Sequence, residues 1–155
     1  MEFEEVGRLM NQDFPLLGVG PNMYSYQSRY GGYGERVGLV QVDIGGIMHN
    51  IYQLSRAELG IIGYVAFLLL VFSPLVLGVI AYLKDKDLVR KNMILGLTVG
   101  LGITLLHGNL EWTLQTAQVG AVFWLTLGVL TGLCKKAQLT GWREVQGASY
   151  WPTKS

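Results

Sequence analysis

The sequence predicts an all-α fold, that of a polytopic membrane protein whose three transmembrane helices follow an extracytoplasmic loop with a short interfacial helix. Half of the 155 residues are apolar and 15% are charged. Charged side chains are absent from three long stretches, 59–83, 92–110 and 112–134. Since about 20 helical residues cross the hydrocarbon core of a bilayer, each stretch is long enough to span it. We place the spans near 60–83, 92–111 and 117–134.

The composition excludes several other classes of protein. A disordered chain would be more charged and less apolar. A single cysteine excludes a disulfide framework and a cysteine-rich metal site. The formal net charge of +1 gives no electrostatic reason to expect nucleic acid as a partner. The partner that the composition implies is the lipid bilayer.

The distribution of basic residues predicts the orientation of the chain in the membrane. Four lysines and arginines lie in 84–91 and two begin the tail 135–155, whereas 112–118 has none. Basic residues in short loops favour the cytoplasmic side. We therefore predict an extracytoplasmic segment 1–59, a transmembrane region 60–134 and a cytoplasmic tail 135–155. The first 30 residues show no signal peptide, so we expect the chain to be the C-terminal part of a longer polytopic protein.

The outer segment contains two stretches with candidate binding residues. The sequence 15–22 (PLLGVGPN) is rich in turn-forming residues, among them Gly18, Gly20 and Asn22. The sequence 24–34 (YSYQSRYGGYG) holds four tyrosines and predicts a flexible interfacial loop, although tyrosine rings can also stack on sugars. Arg29 and Arg36 carry guanidinium groups that can pair with phosphate oxygens. Exposed arginines are, however, more often simply solvated.

A helical pattern begins at Ile47 and predicts an interfacial helix that runs into the first span. Its apolar face consists of Ile47, Ile51, Leu54 and Leu59. Arg56 and Glu58 are interleaved with that face, and His49 and Asn50 lie near the start. Gly60 and Gly63 lie one turn apart and predict the close approach of another backbone.

Within the spans, Pro74 predicts a kink. Two pairs of glycines four residues apart, Gly96 with Gly100 and Gly128 with Gly132, predict close packing between helices.

Two motifs of the outer segment resemble those of a known family. His49-Asn50, nine further residues and 60–63 (GIIG) fit the pattern His-[Asn/Ser/Gln]-x9-Gly-x-x-Gly of the O-antigen ligase family of polytopic membrane glycosyltransferases. The stretch 15–22 resembles the family's upstream Pro-Leu-x-Gly-x-Gly segment. The stretch 57–60 (AELG) is similar to its Ala-Glu-x-Gly run at the entrance to a membrane helix.

The resemblance implies an enzyme of lipopolysaccharide or polysaccharide biosynthesis in the cell envelope, in the bacterial inner membrane with residues 1–59 in the periplasm. Members transfer glycan from an undecaprenyl-diphosphate carrier to an acceptor hydroxyl on the lipid A core, a polysaccharide or a protein. They require no metal and no other cofactor. His49 inherits the role of the residue that acts on the acceptor. The family's main loop arginine lies further upstream than Arg8, so its counterpart is expected before Met1.

The chemistry of the residues agrees with this assignment. An attacking hydroxyl must lose a proton, and histidine is a suitable base at neutral pH. His107 and Glu111 near the outer end of the second span lie four residues apart, so we expect them to share a helix face. They are interpreted either as interfacial residues beside the anchor Trp112 or as groups that orient His49.

Two other functions stay open from the sequence alone. Glycine-rich spans with His107 and Glu111 would suit a fragment of a transporter or permease. A start at Met1 would favour a small three-helix membrane accessory protein. The clustering of ionisable residues at the outer face, away from the midplane, favours the enzyme.

Overall fold

The computed structural model describes residues 2–111, 114 and 116–148. This part of the chain contains no strand, which confirms the predicted all-α class. Its helices are α1 (Glu2–Asp13), α2 (Tyr24–Tyr30), α3 (Tyr33–Val37), α4 (Ile51–Lys84), α5 (Leu88–His107) and α6 (Ala117–Ala148).

Three helices are long and apolar enough to cross a membrane, as predicted. They are α4 with 34 residues, α5 with 20 residues, and 21 residues of α6 from Ala117 to Ala137. Their ends differ from the sequence prediction. Helix α5 ends at His107, before the predicted 111, and α6 continues to Ala148, well into the predicted tail. The rest of that tail, 149–155, and the predicted anchor Trp112 lie outside the described residues.

The chain forms two compact units, each described here by itself. The first, which we call the N-terminal unit, comprises Met1–Leu70 and Leu105–Gly120. The second comprises Val71–Thr104 and Ala121–Ser155.

The core of the N-terminal unit explains why its first 50 residues fold. Helix α1 places Val6 and Met10 on one face, and both are fully buried. Around them pack Tyr24, Tyr33, Leu39, Ile44, Met48, Leu54 and Ala57. The prediction of a flexible loop at 24–34 was wrong, since Tyr24 and Tyr33 enter this core from α2 and α3. The Tyr24 hydroxyl donates a hydrogen bond of 2.5 Å to the carbonyl of Phe3, and burial raises the pKa of this phenol.

Helix α4 is broken at Gly60, whose dihedral angles (φ 62°, ψ −171°) lie outside the helical region. The residues 51–59 therefore form a short helix before the membrane-length helix 61–84. The apolar face of this short helix packs into the core of the N-terminal unit through Leu54 and Ala57. Pro74, the predicted kink, keeps helical dihedral angles.

The segment 15–20 crosses this break and satisfies backbone groups on both sides of it. The amides of Val19 and Gly20 donate to the carbonyls of Ala57 (3.0 Å) and Glu58 (2.9 Å) at the end of the short helix. The carbonyls of Pro15 and Leu16 accept from the amides of Ile61 (2.9 Å) and Ile62 (3.4 Å) at the start of the long helix. Helix ends leave such groups without intrahelical partners, so this segment replaces the hydrogen bonds that the break removes.

The second unit contains the tight connection between α4 and α5. Asp85 is almost fully buried and forms an ion pair with Arg90, which donates from Nη2 at 2.6 Å. This hydrogen-bonded guanidinium lowers the pKa of the Asp85 carboxyl. The Asp87 carboxylate caps α5 by accepting from the amides of Val89 (3.1 Å) and Arg90 (3.2 Å).

The predicted close packing at the glycine pairs is wrong for the described part of this unit. Apart from the backbone of the glycine's own helix and its chain neighbours, no heavy atom there lies within 4 Å of the place a Cβ would take at Gly96, Gly100, Gly128 or Gly132. Packing uses Gly78 instead, because a side chain at that position would meet the Thr98 hydroxyl and the Leu130 side chain.

Candidate functional site

The candidate site lies where the start of α4 meets the end of α5, within the N-terminal unit. The Ile51 amide donates to the Gly108 carbonyl at 2.9 Å, and the Tyr52 hydroxyl donates to the Leu105 carbonyl at 2.7 Å. The last carbonyls of a helix have no intrahelical donors, so the end of α5 offers acceptors to the incoming chain. Gly108 permits this approach, because a side chain there would collide with Ile51.

Asn50 fixes the backbone at this junction. Its Oδ1 accepts from the amides of Tyr52 (3.0 Å) and Gln53 (3.1 Å), which is the geometry of a helix N-cap. Its Nδ2 donates to the Asn109 carbonyl at 3.1 Å. One side chain therefore caps α4 and also binds the turn that follows α5. His49, the preceding residue, is held in place by this arrangement.

His49 and Glu111 form the central pair of the site. His49 Nδ1 lies 3.1 Å from Glu111 Oε2, and the two side chains are 61% and 46% exposed. An ionised carboxylate only accepts hydrogen bonds, so in a hydrogen bond with ionised Glu111 the donor is Nδ1, and the lone pair of a neutral ring is then on Nε2. A histidine oriented by a carboxylate in this way can act as a general base.

Glu111 contacts His49 from the turn that follows α5, whereas the sequence predicted that Glu111 lies on the helix itself. Glu111 and His107 do not share a helix face, because α5 ends at His107 and a turn follows. In that turn the Glu111 amide donates to the His107 carbonyl at 3.2 Å. The His107 side chain is exposed at the end of α5.

Four residues predicted to bind substrate or support the site instead shape the backbone around the break in α4 and the start of α2. They are Gly18, Gly20, Asn22 and Glu58. Gly18, Gly20 and Asn22 have positive φ angles of 69°, 107° and 58°. A side chain at Gly18 would overlap the backbone of Glu58 and Gly60, and one at Gly60 would overlap the Leu16 carbonyl. The buried Glu58 carboxylate accepts from the Tyr24 amide at 3.1 Å and caps α2. At Gly63 the atoms nearest to a Cβ would belong to the side chain of Leu59, on the other side of the break.

The two arginines predicted to bind phosphate lie in α2 and α3. Arg36 donates to Asp13 Oδ2 at 3.0 Å and lies over the Tyr33 ring, whose hydroxyl donates to the same oxygen at 2.8 Å. Hydrogen bonds from Arg36 and Tyr33 lower the pKa of Asp13. Arg36 therefore joins α3 to α1. The Arg29 guanidinium is exposed beside Gly45.

A cleft of about 600 Å³ lies between α1 and the first turns of α4, and the sequence analysis did not foresee it. Its lining residues are Glu4, Glu5, Gly7, Arg8, Asn11, Gln12, Met48, Gln53 and Arg56. The volume falls in the range of small-molecule sites. Met48 lines the cleft and immediately precedes His49 in the sequence. Arg56 also lines the cleft, and its side chain is exposed. The signal in the sequence was the spacing of Val6, Leu9 and Met10, which is typical of an amphipathic helix.

Among the described residues no group of three histidine, cysteine or acidic side chains is arranged to hold a metal ion.

Comparison of the chain with protein-family models found no match, and comparison with curated proteins and with solved structures found no significant match. The resemblance to the O-antigen ligase family therefore rests on the residues of the two motifs.

Proposed function

We propose that the chain carries the acceptor-activating site of a membrane glycosyltransferase of the O-antigen ligase type. The reaction moves a glycan from an undecaprenyl-diphosphate carrier to a hydroxyl of the lipid A core, a polysaccharide or a protein. The observation that carries the proposal is the His49–Glu111 pair at 3.1 Å. His49 is the base, and Glu111 is the residue that positions it.

The pair suits the proton transfer that this reaction needs. The acceptor oxygen forms a bond with the anomeric carbon while the bond between that carbon and the diphosphate oxygen breaks, and its electron pair leaves with the diphosphate. The hydroxyl proton passes to Nε2 of His49. The Glu111 carboxylate then stabilises the imidazolium that forms. Losing a positioned base typically slows a reaction by about 10²–10⁴-fold.

The two segments that carry the family resemblance also support the proposal. They lie 35 or more residues apart in sequence, yet four backbone hydrogen bonds join 15–20 to 57–62. The joint centres on Gly60, eleven residues after His49, which itself lies two residues before the start of α4. Both motifs therefore belong to one structural element, which joins the short helix after His49 to a membrane-length helix.

The charge distribution of the long helices favours the enzyme over a transporter. A transporter typically places charged side chains near the middle of the membrane. Between Glu58 and Lys84 in α4, and between Lys91 and His107 in α5, the sequence has no charged residue. The charged side chains lie at the ends, where the headgroup of a lipid diphosphate meets water.

The proposal is tested by replacing His49 in the cell that makes the protein. The variant His49→Ala is expected to block transfer, so the undecaprenyl-diphosphate-linked glycan accumulates in lipid extracts, while the amount of protein in the membrane stays normal. The matched control is Glu35→Gln, since Glu35 is exposed on α3. Unchanged levels of lipid-linked glycan in the His49 variant would show that His49 is not the base.

A further inference from the structure

We propose that the turn 14–17 (Phe14, Pro15, Leu16 and Leu17) inserts its apolar side chains into the lipid bilayer beside the start of the long helix of α4. The partner is the hydrocarbon at the edge of the membrane. The N-terminal unit is then held to the membrane by this turn as well as by its helices. This inference concerns the placement of the unit and is independent of the proposed reaction.

The turn is apolar and exposed. Phe14, Leu16 and Leu17 are 49%, 60% and 75% exposed. No charged residue occurs between Asp13 and Arg29. Adjacent large apolar side chains on a surface typically mark an interaction site, because they are costly to leave in water.

The surface of the turn is continuous with that of a candidate membrane span. The Pro15 and Leu16 carbonyls accept from the amides of Ile61 and Ile62. These two isoleucines are themselves exposed and lie near the start of the charge-free run 59–83. The same environment that covers the first turn of the long helix therefore covers the turn 14–17.

The hydrogen bonds of the break also suit a position at membrane depth. Irregular backbone is tolerated near hydrocarbon only where its polar groups are satisfied by protein or by water in a cavity. Here the segment 15–20 forms hydrogen bonds with the amides of Ile61 and Ile62 after the break. It also forms hydrogen bonds with the carbonyls of Ala57 and Glu58 before the break. The break exposes little unpaired backbone to lipid, while Leu16 and Leu17 present hydrocarbon.

Site-directed spin labelling measures the depth of the turn directly. The full chain with Cys134→Ala is reconstituted in vesicles of phosphatidylcholine and phosphatidylglycerol, and a nitroxide is attached at Leu17→Cys. Collision with oxygen, which concentrates in hydrocarbon, is compared with collision with a water-soluble nickel complex. Two matched positions calibrate the scale. Leu69→Cys is exposed on the long helix, and Glu35→Cys is exposed on α3.

The label at Leu17 is expected to collide with oxygen several-fold more than with nickel, as the label at Leu69 does. A nickel-dominated value like that at Glu35 would overturn the proposal. A label shielded from both reagents would also overturn it, since it would show that protein covers the turn. Catalysis is not measured, so neither result depends on the role of His49.

Discussion

At the scale of single residues, the site depends on a histidine and a carboxylate that lie 62 positions apart in sequence. Asn50 brings them together because it caps α4 with its Oδ1 and binds the Asn109 carbonyl with its Nδ2. The backbone on both sides of the pair is therefore fixed, although both side chains remain exposed. A base needs this combination of accessibility and fixed position.

Replacing Glu111 tests its positioning role. Glu111→Gln keeps the shape of the side chain but removes the charge that holds the Nδ1 proton of His49. We expect the rate of glycan transfer to fall on the order of 10- to 100-fold, as is typical when a reacting group is misplaced. Accumulation of lipid-linked glycan in membranes, followed over time, measures this rate.

The thermal unfolding temperature of the Glu111→Gln variant in detergent should stay at the wild-type value, since the side chain is partly exposed. Glu35→Gln removes a comparable exposed carboxylate and should leave the rate unchanged. Equal rates for the two variants would contradict a positioning role for Glu111.

Both members of the His49–Glu111 pair were candidate residues from the sequence, but the way in which they meet was not predicted. His49 follows from a motif, and Glu111 follows from its charge at the end of an apolar run. The expected helix face shared by His107 and Glu111 does not form, because a charge-free run does not reveal where Gly108 and Asn109 end the helix. Arg36 illustrates another limit, since its ion pair with Asp13 depends on the unpredicted helices α1 and α3.

At the scale of elements, the break in α4 shows what local sequence signals omit. Pro74 carries the stronger local signal for a kink, yet the helix is broken at Gly60. The cause is a distant segment, because the backbone of 16–18 lies against Gly60 and the segment 15–20 supplies hydrogen bonds to both helix ends. The two motifs were recognised separately in the sequence, but their joining depends on a contact across more than 40 residues.

The variant Gly60→Ala tests this joint. The backbone angles of Gly60 lie in a region that only glycine adopts readily, and the methyl group of an alanine there would overlap the Leu16 carbonyl. We expect a loss of at least about 1–3 kcal/mol in the free energy of unfolding. Thermal unfolding in detergent, followed by helical circular dichroism, measures the change.

Gly96→Ala is the matched control for the joint, since in the described chain a Cβ there would meet no atom within 4 Å beyond its chain neighbours and the backbone of its own helix. Alanine stabilises the interior of a helix more than glycine does, so this variant should not lower the unfolding temperature. If Gly60→Ala melted at the same temperature as Gly96→Ala, the joint would not contribute to stability.

At the scale of the whole molecule, the sequence predicted the membrane-length helices well because hydrophobic length is a property of a single stretch of chain. The fold of the first 50 residues was mostly missed. Its short helices are held by tyrosines and methionines that reach a shared core, with Tyr24 and Met10 fully buried. Such contacts are tertiary, so the aromatic and glycine-rich composition of 24–34 predicted a loop where two helices form.

The proposed orientation leads to a final prediction, the side of the membrane on which each end of α4 lies. The segment 84–91 carries four basic residues, and we expect it in the cytoplasm with residues 1–59 outside. In a Cys134→Ala background, Glu35→Cys should react in intact spheroplasts with a maleimide that cannot cross the membrane. Lys86→Cys, also exposed, should react only after the membrane is opened.

The ion pair of Arg90 with Asp85 offsets one positive charge of the loop 84–91, but Lys84, Lys86 and Lys91 still outnumber Asp87, so the preference of this loop for the cytoplasmic side should persist. Labelling of Lys86→Cys in intact spheroplasts would reverse the orientation and place His49 on the cytoplasmic side. The glycan carrier would then have to be used before its export, which would exclude the proposed reaction.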